Sequence, residues 1–402
     1  MQQAPTNDSE LNLLFACARW PQRERDRRLI AQLAASQPDW RRFVQLAKHH
    51  RVIPLISHNL NTVLRDGLSD NTRETVAELR QYAGASVIRS LHLLNELRRV
   101  IAALNAADIS VRVLKGFPLA RLVFGDISLR APGDLDLLID GRKLIEADRV
   151  LRGLGYTGLF LPERFTPKQL AFYRAHWKDI TYNSDELGLE LDLHWRCFRN
   201  PYAPGVGLCS SRAAERVTFG GFTVETPARR EGLLYLCVHG TLDGWVYLKA
   251  LVDVAAQVRE MSAQELDALA ELARTYCALP ELSATLLLVR RWFTMDHWSR
   301  CLLPESDRTV RHILRYVEET LEVQGFRASR EEFPIGHTLW FEWGLRRNWR
   351  YRWEVLQRVL YRARMWDTIP LPDWLFWAYP LLSPVEWLLF RIRQRRAQAA
   401  NV

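Results

Sequence analysis

Two carboxylates stand two residues apart near the middle of the chain, in the segment Asp134–Asp140, which reads DLDLLID. The alternation from Asp134 to Leu137, followed by a short apolar run, predicts a β-strand. Successive side chains of a strand point to opposite faces, so Asp134 and Asp136 share one face. Two like charges side by side repel each other, and a hard cation such as Mg²⁺ between them would remove that penalty. The pair therefore indicates a metal site, and the alternative is a solvated strand end with two incidental aspartates.

A second strand and a Lys-Gly turn precede this pair. Ile109–Leu114 alternates apolar and polar residues and predicts a strand, which ends at Lys115 and Gly116. Phe117–Phe124 then has a helical pattern, with a proline suited to its first turn. Gly116 would let a phosphate approach the backbone at the helix N-terminus, and Lys115 would supply a positive charge. The turn therefore indicates a phosphate site one strand ahead of the aspartates.

A third group of candidate ligands lies farther along the chain. The segments Lys178–Tyr182 and Leu187–Trp195 predict the two arms of a β-hairpin. In the second arm three alternating leucines share one face, which we expect to be buried. The opposite face carries Glu190, Asp192 and His194. Each of these side chains could join the acidic pair if folding brings the second arm beside it.

The order of these elements resembles the nucleotidyltransferase superfamily with the DNA polymerase β-like core. More closely, it is similar to the bacterial branch often called uncharacterised nucleotidyltransferase family proteins. The residues that carry the resemblance are VLKG (Val113–Gly116), Arg130, DLDLLID (Asp134–Asp140), LELDLHW (Leu189–Trp195) and VHGTLDGWVYLKALVDVA (Val238–Ala255). Each motif is short, and their order along most of the chain is the more specific signal. The superfamily usually has Gly-Ser at the turn, so Lys115-Gly116 here puts the usual serine–phosphate contact in doubt and indicates Lys115 as its replacement.

The resemblance implies nucleotidyl transfer. An acceptor hydroxyl or phosphate would attack the α-phosphorus of an NTP, and pyrophosphate would leave. Asp192, from the motif LELDLHW, would complete a catalytic and metal-binding triad with Asp134 and Asp136. Two Mg²⁺ ions would be held there, one to activate the acceptor and one to orient the triphosphate.

Seven further residues are expected at the substrate: Lys115, Gly116, Arg130, His194, His239, Lys249 and Asp253. Lys115 and Arg130 are the candidates for contacts to the triphosphate. The resemblance implies that His239, Lys249 and Asp253 line the nucleotide side of the cleft. Arg130 could instead form a salt bridge to the acidic pair. Lys249 and Asp253 are spaced i,i+4, so they could instead form a surface salt bridge beside a capping histidine.

The arrangement of predicted elements gives an α+β protein with three parts. A helical N-terminal region covers residues 1–107, a small mixed β-sheet core covers 108–228, and a helical C-terminal region covers 229–402. The chain of 402 residues is long enough for two or three domains.

Composition and net charge indicate the kind of substrate and the cellular compartment. The net charge of +9 suits an anionic substrate such as an NTP, but it does not by itself indicate nucleic-acid binding. The six cysteines are scattered without a CxxC pair, which favours reduced thiols over disulfides or a zinc site. The polar N-terminus has no signal-peptide pattern. These features predict a cytoplasmic protein.

Two segments rich in aromatic residues leave alternatives open. Leu345–Trp366 mixes arginines with tryptophans, which we expect to pack inward on an amphipathic helix, although such mixing could also bind RNA. Leu371–Phe390 is interrupted by three prolines and predicts a segment packed on the protein. Docking of residues 371–396 on a membrane surface is the alternative there.

Two other functions remain possible from the sequence. The protein could keep the fold as a non-catalytic nucleotide-binding or scaffold protein, which the missing serine supports and the three aspartates oppose. It could also be an RNA-directed transferase that uses the Arg/Trp segment. The acceptor stays open among sugar phosphates, other small molecules, protein hydroxyls and RNA ends, with nucleic acid the less favoured partner.

Overall fold

The computed structural model describes residues 8–64, 70–158, 162–210, 213–293, 295, 297–322, 335–384 and 386. Within them, seven strands form one mixed sheet. In chain order the strands are β1 (Arg112–Val113), β2 (Leu135–Leu138), β3 (Thr157–Gly158), β4 (Asp179–Ser184), β5 (Leu189–His194), β6 (Ala214–Phe219) and β7 (Phe222–Pro227). Their spatial order is β3-β4-β5-β2-β1-β7-β6. Together with the helices that flank the sheet, this confirms the α+β class.

Helices precede, interrupt and follow the sheet. The first five are α1 (Ser9–Cys17), α2 (Glu24–Ala35), α3 (Trp40–His49), α4 (Ile53–Val63) and α5 (Asp70–Ala106). Between strands lie α6 (Phe117–Leu119), which continues as a π-helical turn over Ala120–Phe124, α7 (Leu144–Gly153) and α8 (Pro167–His176). After the sheet come α9 (Arg229–Leu242), α10 (Leu248–Val258), α11 (Ala263–Thr275), α12 (Leu279–Trp292), α13 (Arg308–Glu322), α14 (Ile335–Leu345), α15 (Trp349–Leu360) and α16 (Arg364–Thr368). Short 3₁₀ segments occur at Gly141–Lys143, Pro162–Arg164, Leu208–Ser210 and Asp373–Ala378.

The register of the central strands positions the site. β2 runs parallel to β5, with Asp136 opposite Asp192 and Leu138 opposite His194. β4 pairs antiparallel with β5, as the hairpin pattern predicted. Because side chains alternate along a strand, the polar residues of β2 and β5 lie on the same face of the sheet. Leu135 and Leu137 of β2 and the three leucines of β5 are buried on the opposite face, whereas the partly buried Leu138 shares the face of Asp136.

The strand predicted over Ile109–Leu114 is shorter in the structure. β1 covers only Arg112 and Val113, because its pairing partners β2 and β7 reach only these residues. Leu114 still donates its backbone N–H to the carbonyl of Asp136, at 3.0 Å. The turn that follows is therefore attached directly to the acidic strand.

Two hydrophobic clusters support the site from opposite sides. One combines helices α1–α4 with α9–α13, so the N-terminal and C-terminal helices share a core. The other covers the leucine face of the sheet and includes residues of α5 and α7. Apolar burial of this extent is the main stabilising contribution to a fold. The polar face of β2 and β5 thus points toward the larger helical cluster.

The cysteines depart from the expectation of reduced thiols. Cys197 and Cys209 form a disulfide, with their Cα atoms 6.2 Å apart. The expectation is therefore wrong for this pair, whereas Cys17 and Cys237 are buried free thiols. The sequence spacing of these two cysteines did not predict the disulfide, because only the folding of the loop after β5 brings them together.

The tryptophans of the Arg/Trp segment also depart from expectation. On α15, Trp349 is 70% exposed and Trp353 is 46% exposed, so the prediction that they pack inward is wrong. The buried residues of this helix are Tyr351 and Val355, which are spaced i,i+4. Trp366, at the end of the segment, is buried as predicted.

The aromatic segment after position 370 is partly packed on the sheet side. Phe376 and Tyr379 belong to the cluster that covers the sheet, while Trp374 and Trp377 are exposed. Residue 385 and residues 387–402, which include the arginines of the proposed membrane contact, lie outside the described residues. In the described part of the chain, no helix combines the length and the apolarity that crossing a bilayer requires.

Candidate functional site

Two carboxylates and one imidazole converge on the polar face of β2 and β5. Asp136, Asp192 and His194 each offer a ligand atom, and these atoms lie within 4.8 Å of one another. The register brings Asp192 beside Asp136, and His194 follows two positions later on the same face. His194, expected at the substrate, thus lies with the potential metal ligands. Asp134 precedes β2 and is linked to the group through a lysine.

That lysine is Lys115, which lies between the two aspartates of the DxD motif. Its Nζ atom is 2.8 Å from Asp136 Oδ2 and 3.5 Å from Asp134 Oδ2. Burial by itself disfavours the charged ammonium, but Asp136 and Asp134 outweigh burial and raise the pKa of Lys115. The ammonium therefore neutralises the two carboxylates that a cation was expected to bridge. Its expected contact to a triphosphate would require it to leave them.

Asp136 and Asp192 are held in different electrostatic environments. Burial acts to raise the pKa of Asp136, but Lys115 and His194 outweigh it and hold that pKa well below its usual range. Burial and the neighbouring charge of Asp136 raise the pKa of Asp192 to about 6. The hydroxyl of Thr181 donates to Asp192 Oδ1 at 2.6 Å and fixes its orientation. Lys115 serves Asp136 and Asp134, and Asp192 has no lysine or arginine within 4 Å among the residues that the structure describes.

His194 bridges the acidic group and the start of β4. Its Nε2 atom lies 3.3 Å from Asp136 Oδ1, and its Nδ1 atom lies 3.8 Å from Asp179 Oδ2. Nδ1 is buried without a hydrogen-bond partner in the described structure, which is costly unless a ligand or water completes the site. Asp179 and Thr181 were not identified from the sequence. The predicted β-hairpin could have identified them, because Asp179 stands opposite His194 and Thr181 stands opposite Asp192 where β4 pairs with β5.

The donor set fits a divalent cation. Two adjacent carboxylates crowd negative charge, one of them has a raised pKa, and His194 adds an imidazole nitrogen within 4.8 Å of both. Carboxylate oxygens suit Mg²⁺ and Mn²⁺, while an imidazole is more usual around Mn²⁺ or Zn²⁺ than around Mg²⁺. Asp136, Asp192 and His194 are therefore the residues that could hold such an ion.

Arg130 and Asp253 form a separate, closed ion pair. Arg130 Nε lies 2.8 Å from Asp253 Oδ1, and Arg130 Nη2 lies 2.8 Å from Asp253 Oδ2. Arg130 also donates to the carbonyl of Gly116 at 3.4 Å. Asp253 is 1% exposed. Two alternatives are therefore wrong, the salt bridge of Arg130 to the acidic pair and that of Asp253 to Lys249. The reason is that α10 buries Asp253 within reach of the Arg130 guanidinium.

Gly116 and Lys249 lie on either side of this pair. Gly116 has φ of 80°, in the region that favours glycine, and it stands immediately before α6. Lys249 donates from Nζ to the carbonyl of Ala131 at 2.6 Å. Burial and the nearby Arg130 lower the pKa of Lys249 to about 7. Both residues therefore lie at the loop that leads to Asp134.

His239 lies on the other side of the acidic group, at an aromatic cavity of about 320 Å³. Its ring stacks on Tyr235 with centroids 5.4 Å apart, and its Nε2 is 3.3 Å from Asp243 Oδ2. Burial lowers the pKa of His239. Across the cavity, the Arg199 guanidinium lies 4.5 Å over the ring of Trp177. The structure thus separates His239 from Lys249 and Asp253, with which it was grouped.

A second cavity, of about 480 Å³, opens beside Asp134. Four basic residues line it, namely Lys48, Arg51 and Arg89 from the N-terminal helical region and Lys249 from α10. Sequence reasoning missed the first three because none of them stands in a recognisable motif, so only tertiary folding reveals them. The acidic group therefore lies between an aromatic cavity and a basic one.

The chain matches the model of a known protein family. A family model described as "Uncharacterised nucleotidyltransferase" matches residues 36–294, which is well over half of the chain. The matched segment contains the sheet and every site residue described above. No curated protein and no solved structure matches the chain.

Proposed function

The chain belongs to the uncharacterised nucleotidyltransferase family, and from this premise we propose that it moves an NMP group from an NTP to an acceptor hydroxyl or phosphate, with release of pyrophosphate. The observation that carries the proposal is the pairing of Asp136 with Asp192 on parallel strands. A buried and a half-buried carboxylate in register, with one imidazole, form a site for charge-neutralising chemistry on phosphates.

We propose Mg²⁺ or Mn²⁺ as the cofactor, with a second ion held through Asp134. A divalent cation at Asp136 and Asp192 would neutralise the phosphate oxygens and lower the barrier to transfer. Thr181 keeps the Asp192 carboxylate turned toward the site by its hydrogen bond at 2.6 Å. His194 restrains Asp136 from the other side at 3.3 Å. Such positioning is the main contribution that a protein makes to phosphoryl transfer.

A non-catalytic nucleotide-binding protein is the second candidate, and Lys115 favours it. The ammonium lies 2.8 Å from Asp136, where it can satisfy the acidic pair without a metal. If it stays there when an NTP binds, the protein would bind and not transfer. If it moves onto a phosphate, the carboxylates become available to a cation.

Transfer can be tested with each NTP labelled at the α-phosphate, in the presence of Mg²⁺ or Mn²⁺ and a cell extract as the acceptor source. We expect label in one class of acceptor together with release of pyrophosphate. Asp192→Asn serves as the catalytic control, and Asp185→Asn serves as an exposed control. NTP binding without pyrophosphate release under either metal would reject transfer in favour of the second candidate.

A further inference from the structure

The cavity beside Asp134 contains cations that the fold leaves without acidic partners. Arg51, Arg89 and Lys249 have no carboxylate within 4 Å in the part of the chain that the structure describes. The fourth cation, Lys48, pairs with Glu78 at 3.2 Å. Two carboxylates, Asp134 and Glu190, also line the cavity, but the basic side chains outnumber them, and this excess of positive charge indicates an anionic ligand.

Arg51 is the best placed of these cations. Its Nη1 atom lies 3.8 Å from the position that a Cβ on Gly133 would occupy, next to Asp134. Its guanidinium packs 4.0 Å over the ring of Tyr247. Its φ is 57°, a left-handed conformation that helix ends usually assign to glycine. The backbone conformation alone would favour glycine at this position, and the chain has an arginine there instead.

Local contacts fix Arg51 and Lys249 relative to each other. The preceding residue, His50, accepts at Nδ1 from the Leu248 N–H at 3.3 Å. The carbonyl of His50 accepts from the Lys249 N–H, also at 3.3 Å. The end of α3 is therefore attached to the beginning of α10. The two cations face the same cavity without a hinge between them.

The cavity also adjoins the beginning of α4. Ile53 and Pro54, at its first turn, line the cavity. No side chain caps this N-terminus, and the helix spans eleven residues. The positive end of the helix dipole adds partial charge to that of the three cations.

We propose that this cavity binds the β- and γ-phosphates of the NTP and then the pyrophosphate leaving group, with Arg51 and Arg89 as binding residues. The inference rests on the nucleotidyl transfer proposed above. Lys115 and Arg130, the residues expected for this role, are engaged with Asp136 and Asp253. The cavity volume of about 480 Å³ falls in the range of ligand sites and accommodates a small polyanion. An α-phosphate at the acidic group would then place the leaving group beside Asp134.

Lys249 supports this assignment. Burial and the nearby Arg130 lower its pKa, and the carboxylates of Asp253 and Asp134 offset that effect only in part. A phosphate oxygen in the cavity would favour its charged form, because an opposite charge raises the pKa of an ammonium. Arg51 and Arg89 provide guanidinium groups, which bind phosphate oxygens through paired hydrogen bonds.

Calorimetric titration with inorganic tripolyphosphate, with and without Mg²⁺, tests the proposal on the full chain. The double variant Arg51→Gln/Arg89→Gln should bind at least ~10-fold more weakly, since each charged hydrogen bond contributes on the scale of a tenfold change. The control Arg41→Gln/Arg98→Gln removes two exposed arginines of α3 and α5 outside the cavity and should change affinity less than about twofold. Circular dichroism confirms that both variants fold.

Several results would overturn the cavity assignment. They are failure of the wild type to bind tripolyphosphate in either condition, equal affinity of the cavity variant, and equal losses in both variants. Loss of single-stranded RNA binding without loss of tripolyphosphate binding would also overturn it and assign Arg51 and Arg89 to a nucleic-acid surface. Transfer of labelled NMP by the wild type is measured separately, so its absence rejects transfer without deciding the binding comparison.

Discussion

The Arg130–Asp253 pair and the Asp136–Asp192–His194 group are both largely buried and contain charged side chains, yet the protein satisfies their hydrogen bonds to different degrees. Arg130 contacts both oxygens of Asp253, at 2.8 Å each. In the other group two carboxylates stand side by side, and His194 Nδ1 has no hydrogen-bond partner in the described structure. The first pair is complete without a ligand, and the second is not.

This difference distinguishes charged side chains that hold the fold together from charged side chains that could bind a ligand or take part in a reaction. A buried ion pair with matched geometry mainly holds its two segments together, and breaking it leaves an uncompensated charge. Crowded carboxylates and a buried imidazole nitrogen without a partner are destabilising unless something binds them, so a protein retains them for a function. Burial and charge alone, which the two groups share, would not have distinguished them.

The largest expected effect is on stability, at the complete pair. Asp253→Ala leaves the Arg130 guanidinium buried without its partner and should lower the free energy of unfolding by about 3–5 kcal/mol. Chemical denaturation followed by circular dichroism measures this change. The control Asp185→Ala removes an exposed carboxylate and should change stability by less than about 0.5 kcal/mol. A loss equal to that of the control would show that the pair is not structural.

The incomplete group should show the opposite behaviour. Asp192→Asn keeps the shape and removes the charge, so transfer should fall at least ~100-fold, as on the loss of a major electrostatic group. Stability should stay within about 1 kcal/mol or rise, because repulsion from Asp136 is relieved. Glu190→Gln, on the exposed neighbour in the same strand, should be much milder. Near-normal turnover of Asp192→Asn with loss of activity in Glu190→Gln would make Glu190 the ligand instead.

Lys115 allows the incomplete group to be examined without nucleotide. Its ammonium competes with any cation for Asp134 and Asp136, so Lys115→Met should bind Mn²⁺ about 10-fold more tightly than wild type. Calorimetric titration of Mn²⁺ into both proteins gives the comparison, with Lys143→Met, at a half-buried lysine outside the acidic group, as the control. Unchanged or weaker binding by Lys115→Met would show that the lysine and the metal do not share a site.

The smallest expected effect concerns His50, which joins the end of α3 to α10, the helix that carries Asp253. Burial lowers the pKa of His50 to about 3 from its ordinary value of 6.5. The unfolded chain therefore binds the proton first, and stability is lost as pH falls below 6.5. At about pH 5.5 the loss should be about 1 kcal/mol. It is measured as the difference in pH dependence between wild type and His50→Asn, and equal slopes would contradict it.

The sequence predicted the parts of the site that depend on strand alternation. The DxD pattern and LELDLHW placed Asp136, Asp192 and His194 on the polar faces of their strands, and the structure brings those faces into register. Alternation could not predict the Arg130–Asp253 pair, whose members are 123 residues apart, because no local pattern links a loop to a later helix. It could not show that Lys115 lies on the acidic pair, because a side chain at a turn can reach either a phosphate or a carboxylate.

The basic cavity shows the same limit of local pattern. Arg51 lies at the end of an ordinary amphipathic helix, and its relevance arises only when α3 attaches to α10 through His50. The tryptophans of α15 were misassigned because composition does not decide which stripe of a helix is buried. There the buried stripe is Tyr351 and Val355. Contacts between distant segments, and not local propensity, decide these features.

The most direct test of the account is anomalous scattering from crystals of the wild-type protein soaked in Mn²⁺. We expect a peak between the carboxylates of Asp136 and Asp192, within ligand distance of both, and Lys115 Nζ displaced from its position 2.8 Å from Asp136. Absence of a peak at this position in Mn²⁺-saturated crystals, with Lys115 still bound to Asp136, would contradict the metal site and with it the proposed transfer.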